Sequence, residues 1–327
     1  MANPFQGKTV LITGGTGSFG ASFARHLLKT ARPKKLIVFS RDEFKQHHLN
    51  KELDDSRVRF FLGDIRDLSR LQRAFQGVDI VIHAAALKQV PALEYNPLEA
   101  VKTNIVGTQN VIEAAIDEAV GRVIFISTDK AVQPVNLYGA TKLCAEKLCL
   151  SANSYSPEKT RFSVVRYGNV IGSRGSIVEW LKQNRDTTTV HITDPEMTRF
   201  WMPLQKSFAL VTFATTEMVG GEIFIPKIPS MKLADLFTTL TPKAKHKIIG
   251  RRPGEKIHEV LLTEHETDRA LLIKDYFVVL PENPYWATKD IYRKYHRLGK
   301  KLDKNFIFAS DTNEHWLSVE ELKKLAA

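Results

Sequence analysis

The run STDKAVQPVNLYGATK, residues 127 to 142, sets Tyr138 and Lys142 four positions apart, with Asp129 and Lys130 shortly before them. On a helix that spacing puts phenol and ammonium on one face, a turn apart, where the cation favours phenolate over phenol. A tyrosine tuned this way takes a proton near neutral pH. Asp129 and Lys130 follow the apolar run Val123 to Ser127 and so belong to a loop above the same site, as a second acid and base. Two proton-handling pairs imply more than a simple dehydrogenation. YxxxK is also a common helical spacing, so the assignment depends on the elements that position it.

Those elements are legible as apolar runs separated by helical patterns. Thr9 to Ile12, Leu36 to Phe39, Val58 to Leu62, Ile80 to His83, Val123 to Ser127 and Ser163 to Tyr167 read as strands. Strand and helix alternating in this way predict an α/β fold, a Rossmann-like doubly wound parallel sheet that binds ligands at the carboxyl ends of its strands. After Gly168 the alternation breaks into shorter segments, with helices expected near Ser176 to Gln183, Gln205 to Met218 and Lys232 to Thr239. The expected division is therefore a dinucleotide-binding domain over 1–170, with some later segments returning to it, and a smaller, mainly substrate-binding lobe over 171–327.

The first strand runs into TGGTGSFG, where Gly14, Gly17 and Gly20 stand three apart and a helical pattern follows at once. Glycines allow the tight turn and the close approach of a pyrophosphate, and the helix amino terminus offers N–H groups to the anion. Thr16, Ser18 and Phe19 fill the same turn and join the expected cofactor contacts. At the end of the second strand, where a carboxylate would hold an NAD ribose, stand Ser40 and Arg41, with Lys45 one turn on; this favours NADP through its 2′-phosphate, although Asp42 dilutes the charge. Asp64 and Ile65 end strand three and bracket an adenine, Asp64 serving equally well as a helix N-cap. Ala84 and Ala85, in HAAALKQV, are small enough for the nicotinamide half to lie against the backbone. Lys88 then reaches phosphate or substrate, or is simply exposed. Asn104 faces the sheet, as a cofactor contact or as a satisfied core asparagine.

Composition narrows the partners. The net charge is +11, and part of the excess lies in KDIYRKYHRLGKKLDKN, residues 289 to 305, read as a solvated surface or a subunit contact. No nucleic-acid module signature accompanies it, and the other cations stand singly beside glycines and turns, which favours a small anionic ligand. No apolar stretch approaches the roughly 20 residues that span a bilayer, and MANPFQGK lacks the apolar core of a signal peptide, so a cytoplasmic protein with no membrane partner is expected. Cys144 and Cys149 lie five apart on a predicted helix, roughly 8 to 9 Å between α-carbons and too far for a bridge. No metal site is expected.

TGGTGSFG, GDIRD, HAAALKQV, STDK and YGATK, in that order, resemble the extended short-chain dehydrogenase/reductases over nearly the whole chain. More narrowly, SRDEFKQ, AAALKQVP, EAVKTNIVGT, STDKAVQP, GNVIGSRGS and MTRFW look like the bacterial UDP-N-acetylglucosamine 4,6-dehydratases that invert C5 at the head of the pseudaminic acid pathway. Retaining relatives carry Thr-Asp-Glu where this chain has Thr128, Asp129 and Lys130, and capsule-synthesis relatives can lack the tyrosine that is present here.

The resemblance implies that bound NADP+ takes hydride from C4 of the sugar and returns it to C6. Tyr138 accepts the 4-hydroxyl proton, Lys142 holds the nicotinamide ribose, and Thr128 bonds the 4-hydroxyl. Lys130 then removes the C5 proton while Asp129 protonates the departing C6 hydroxyl. A lysine base needs its pKa lowered by burial or by neighbouring positive charge. Asn169, Ser173, Arg174, Arg199, Arg251 and Glu255 are the implied contacts to UDP, with Lys88 beside the sugar; Glu255 reads alternatively as a helix-start residue. Relatives assemble as dimers or hexamers, so a homo-oligomer is expected. A nucleotide-sugar 4-epimerase would use the same Tyr138 and Lys142 without the Asp-Lys pair, and a non-catalytic NADP-sensing regulator would need none of the four.

Overall fold

The computed structural model describes residues 3–155, 159–172, 176–184, 186–282 and 289–326. Its frame is a ten-stranded sheet. Strands β1 (Thr9–Thr13), β2 (Lys35–Ser40), β3 (Val58–Leu62), β4 (Ile80–His83), β5 (Arg122–Ile126), β6 (Arg161–Val165) and β7 (Ile223–Pro226) pair in parallel in the order β3-β2-β1-β4-β5-β6-β7. The expected strands all form, within a residue or two of their predicted ends. Beyond β7 the sheet turns antiparallel through Tyr276–Val279, Ala270–Ile273 and Lys300–Lys301. Strands from the second half of the chain thus complete the sheet begun by the first.

The sheet is buried on both faces, which is why its parallel strands read as continuous apolar runs. Along β1, Val10 and Ile12 pack on one side with Phe23 and Leu27 of α1 (Ser18–Thr30), while Leu11 packs on the other with Val81, Val111 and Phe125. The strand order reverses between β2 and β4, on either side of β1, and this opens a crevice at their carboxyl ends.

Above that crevice lies a smaller assembly. Asn169–Ile171, Thr198–Pro203 and Ser230–Lys232 form a three-stranded sheet, and Thr189–Ile192 pairs with Lys245–Ile248. With the helices Ile177–Gln183 and Leu233–Leu240 they enclose a separate core around Trp201, Leu181 and Leu236. The basic stretch expected at the surface begins with the helix Lys289–Leu298: Arg293, His296, Arg297, Lys300 and Lys301 are exposed, while Tyr295 is buried with its hydroxyl 2.8 Å from both the Glu217 carbonyl and Glu222. Cys144 and Cys149 are free thiols. Among the described residues, no helix is long and apolar enough to cross a membrane.

Candidate active site

A cleft of about 660 Å³ occupies the crevice, floored by the glycine turn and the ends of β4, β5 and β6 and roofed by Ser176, Ile177, Trp201 and Leu204. Gly14 adopts φ +63°, and a Cβ there would stand 2.8 Å from the Ala85 backbone. A Cβ on Gly20 would meet the Gly14 carbonyl at 2.5 Å. The turn therefore closes only with glycine, and it delivers the start of α1 into the cleft with no side chain capping it. An uncapped amino terminus against a glycine turn is the cradle a pyrophosphate requires, so the residues present fit a dinucleotide. Thr16, Gly17, Ser18 and Phe19 line the same wall. Ala84 and Ala86 also line it, whereas Ala85 supports Gly14 and packs toward the core.

The turn that carries Asp129 and Lys130 follows β5. Thr128 leads a single 3-10 turn, Asp129–Ala131, and the helix Leu137–Ser151 begins where the Asn136 side chain accepts the Gly139 N–H at 2.8 Å. Gly139 packs so tightly on this turn that a Cβ would overlap the Lys130 carbonyl oxygen. Helix and turn are thereby locked together, and Thr128, Lys130, Tyr138, Lys142 and Asn169 all line the cleft.

Their electrostatics differ from expectation. Lys142 does not lie under the phenol: its Nζ donates to the Ile126 carbonyl at 2.7 Å and sits 3.9 Å from the centre of the Phe125 ring. Burial pushes its amine down to about 7, against the opposing pull of Glu146. Tyr138 is pushed up to about 12 by burial, and the chief group opposing this is Lys130, with Thr128 assisting by hydrogen bond and Asp129 working against both. The cation tuning the phenol in the ligand-free cleft is thus Lys130.

Lys130 in turn is no free amine. Burial alone would lower it, but Asp129 Oδ1 at 3.0 Å and Glu259 Oε1 at 3.6 Å outweigh burial and the opposing Arg199, holding the ammonium above the ordinary lysine range. Asp129 is fully buried, and its Oδ1 also accepts from Thr128 at 2.9 Å. Its Oδ2 is buried without a hydrogen-bond partner. An orphaned oxygen at that depth is unusual, and here it stands beside Lys130, which lines the cleft.

Other expected contacts move. Arg199 is buried, donating to the carbonyls of Thr198, Ile257 and Lys256 at 2.7, 2.9 and 3.0 Å, and it approaches Glu259 at 3.9 Å. Its fork is spent on bracing a loop, so it is no diphosphate ligand here. Asn104 lies in a short π-helix, Val101–Val106, and clamps both backbone groups of Leu87 while donating to Thr141 at 3.0 Å. It is a satisfied core asparagine that joins the segment after β4 to the tyrosine helix. Asp64 is not the N-cap, since Asp67 caps that helix; it pairs instead with Arg66 at 2.8 Å and Arg41 at 3.6 Å, and Ile65 is buried against Gly107. Neither lines the cleft.

Ser40 is buried and accepts from Gln46 at 3.0 Å, Lys45 pairs with Asp42 at 2.6 Å and lines the cleft, and Lys88 lines it too. Arg251 stands on the surface 3.9 Å from Asp194, and Glu255 accepts the Arg252 N–H to close a turn rather than start a helix. Ser173 and Arg174 lie outside the described residues.

Three features had no signature in sequence. Glu259 and Lys256 join the Asp129–Lys130 cluster from a distant loop, where they look like ordinary charges in RRPGEKIHE. His83 sits buried between Thr13 at 2.7 Å and Thr108 at 3.1 Å. The Thr108 hydroxyl donates to the Asn104 carbonyl, so it accepts from His83 Nε2, and Thr13 donates to Nδ1 while receiving the Ala84 and Ala85 N–H groups. Burial, with Lys142 nearby, pushes this histidine down to about 3, consistent with a neutral ring. Beneath the turn, Arg166 is sandwiched between Glu146 at 2.7 Å and Glu266 at 2.9 Å.

Residues 10–281 match the family described as polysaccharide biosynthesis protein. The chain is 46% identical over 323 residues to a protein named UDP-N-acetylglucosamine 4,6-dehydratase (inverting) from Campylobacter jejuni subsp. jejuni serotype O:23/36 (strain 81-176), 97% of each chain being covered. It is also 39% identical to a protein named UDP-glucose 4-epimerase from Rickettsia conorii (strain ATCC VR-613 / Malish 7), over 98% of this chain and 96% of that one. Among solved structures, Pen from Bacillus thuringiensis superposes with a TM-score of 0.88 at 40% identity, covering 98% of this chain and 97% of that one. With its glycine turn, its parallel sheet and its Tyr138 and Lys142 in one cleft, the chain belongs to the polysaccharide biosynthesis protein family of extended short-chain dehydrogenase/reductases.

Proposed function

We propose that the chain is an NADP-dependent UDP-N-acetylglucosamine 4,6-dehydratase that inverts C5, giving UDP-2-acetamido-2,6-dideoxy-β-L-arabino-hex-4-ulose for pseudaminic acid synthesis in the cytoplasm, as a homo-oligomer. The observation that carries this reading is the Asp129–Lys130 pair, 3.0 Å apart, with Lys130 lining the cleft beside Tyr138 and Asp129 buried directly behind it, its Oδ2 without a hydrogen-bond partner. A 4-epimerase needs the tyrosine but gives such a pair nothing to do.

When bound, NADP would supply the hydride acceptor for C4 and the hydride donor for C6. Ser40, Arg41 and Lys45 are the groups that would hold its 2′-phosphate. Tyr138, which must first pass its phenol proton to solvent, takes the 4-hydroxyl proton, aided by Thr128, and the resulting 4-keto group acidifies the C5 hydrogen. Because Lys130 rests as an ammonium, it must first release a proton, and Asp129 Oδ1 is the nearest receiver. That single transfer makes Lys130 an amine base and Asp129 a carboxylic acid together. Lys130 then takes the C5 proton and Asp129 gives its own to the C6 hydroxyl, which leaves as water; the pair returns to its starting charges. Protonation of C5 from the opposite face by solvent completes inversion and balances the proton that Tyr138 passed to solvent. Asn169 and Lys88 face the sugar, and Arg251, Glu255, Ser173 and Arg174 are proposed to meet UDP when it is bound.

Incubation with UDP-N-acetylglucosamine in deuterium oxide, followed by NMR, tests this. A C5 deuteron, an inverted C5 and a C6 methyl are expected. A 4-epimer without a methyl signal would establish the epimerase instead, and unchanged substrate would defeat both.

A further inference from the structure

Glu259 reaches the catalytic cluster from a segment far along the chain, and everything around it is arranged to hold it there. Its backbone N–H donates to Ser310 Oγ at 2.9 Å, and the Ser310 N–H returns a bond of 2.8 Å to its carbonyl. The loop before it is bolted to the catalytic turn, since Lys256 Nζ donates to the Val132 carbonyl at 2.6 Å and Asn136 Nδ2 to the Gly254 carbonyl at 2.8 Å. Arg199 braces the same loop through the carbonyls of Lys256 and Ile257. The carboxylate is 3% exposed, as buried as a core residue. It meets Lys130 on one side, Arg199 at 3.9 Å on another, and Lys256 at 3.4 Å through Oε2, which makes no hydrogen bond of its own.

Lys130 is therefore faced by Asp129 and Tyr138 from its own half, by Asn169 at 3.5 Å, and by Glu259 and Arg199 from later segments, with Lys256 paired to Glu259 behind. Without Glu259, the far side would present two cations and no anion. We propose that Glu259 is a positioning residue of the acid-base site, fixing Lys130 against Asp129 and governing how readily Lys130 gives up its proton. This rests on the dehydratase reading for its catalytic consequence, but not for its electrostatic one.

The test pairs a titration with a rate. In full-length protein labelled at lysine 13Cε, with the Lys130 signal identified by Lys130→Arg, Glu259→Gln should move the Lys130 titration to lower pH by about one unit or more. In parallel, the acid limb of the pH profile for deuterium uptake at C5 should move the same way with KM for UDP-N-acetylglucosamine little changed, and Glu259→Asp should return it toward native. An unmoved Lys130 titration overturns the proposal, as does a rate loss equal at every pH. If the native protein does not turn over UDP-N-acetylglucosamine, the dehydratase reading falls and the titration alone decides the role of Glu259.

Discussion

Thr128, Lys130 and Tyr138 line one cleft with Asp129 buried behind them, and the proton affinities of Lys130 and Tyr138 are set by burial as much as by their neighbours. Tyr138, pushed up to about 12 in the ligand-free site, is a phenol at neutral pH, and Lys130 is the group that most favours its ionisation. Tyr138→Phe removes the proton acceptor for C4 oxidation while keeping the ring. Turnover should fall by roughly 10²- to 10⁴-fold, with the sugar nucleotide's affinity nearly unchanged, measured by product NMR and calorimetry. At the other end of the proposed cofactor, Arg41 is half exposed and only 3.6 Å from its weak partner Asp64, so it is poised to exchange that pair for a phosphate. Arg41→Ala should weaken NADP binding by about 1.5–3 kcal/mol and leave NAD binding almost untouched in the same titration.

At the scale of elements, the site depends on how closely the backbone segments approach. The tyrosine helix and the catalytic turn touch at Gly139, where a methyl group would overlap the Lys130 carbonyl oxygen, a backbone atom that cannot swing aside. Gly139→Ala should therefore displace the Asp129–Ala131 turn and cut turnover by about 10²-fold or more while the circular dichroism of the folded chain is retained, because a small misplacement of reacting groups has a large effect on rate. Gly14→Ala acts on binding instead. Its φ of +63° and the Ala85 backbone 2.8 Å away both refuse a side chain, and loss of dinucleotide binding by calorimetry is the expected outcome. Behind these contacts, Asn104 ties the Leu87 backbone to Thr141, and His83 ties the end of β4 to Thr108, so the glycine turn and the tyrosine helix are held by one buried polar network.

Across the whole molecule, the second half of the chain stabilises the catalytic half from below as well as roofing it. Arg166 at the end of β6 bonds Glu146 of the tyrosine helix and Glu266 of a later segment, with the guanidinium almost fully buried. Arg166→Met leaves two carboxylates without their partner and should lower stability by about 3–5 kcal/mol in denaturant unfolding. Burial would raise the Glu266 carboxyl, but Arg166 and the Thr263 N–H outweigh it and hold the carboxyl below its usual range. A depressed carboxyl contributes stability above its unfolded value, about 4.3, and that contribution is lost as pH falls through the lower folded value. The native protein should accordingly lose stability on acidification below about pH 4, and Arg166→Met should show a shallower dependence over the same range.

The sequence by itself determined the six strands, the glycine turn and the register of Tyr138 with Lys142, because each is a periodicity or a backbone requirement satisfied within a few residues. Tertiary structure decided what those side chains do. Lys142 was legible as a partner of the tyrosine, but its ammonium turns to Ile126 and the Phe125 ring; Arg199 was legible as a phosphate ligand, but its fork closes on carbonyls of a distant loop. Glu259 was invisible, for nothing local marks a glutamate that will meet Lys130 across a cleft. The physical reason is common to all three. A side chain's charge state and free donors depend on desolvation and on charges a few ångströms away, and those neighbours are assembled only when remote segments close the cleft.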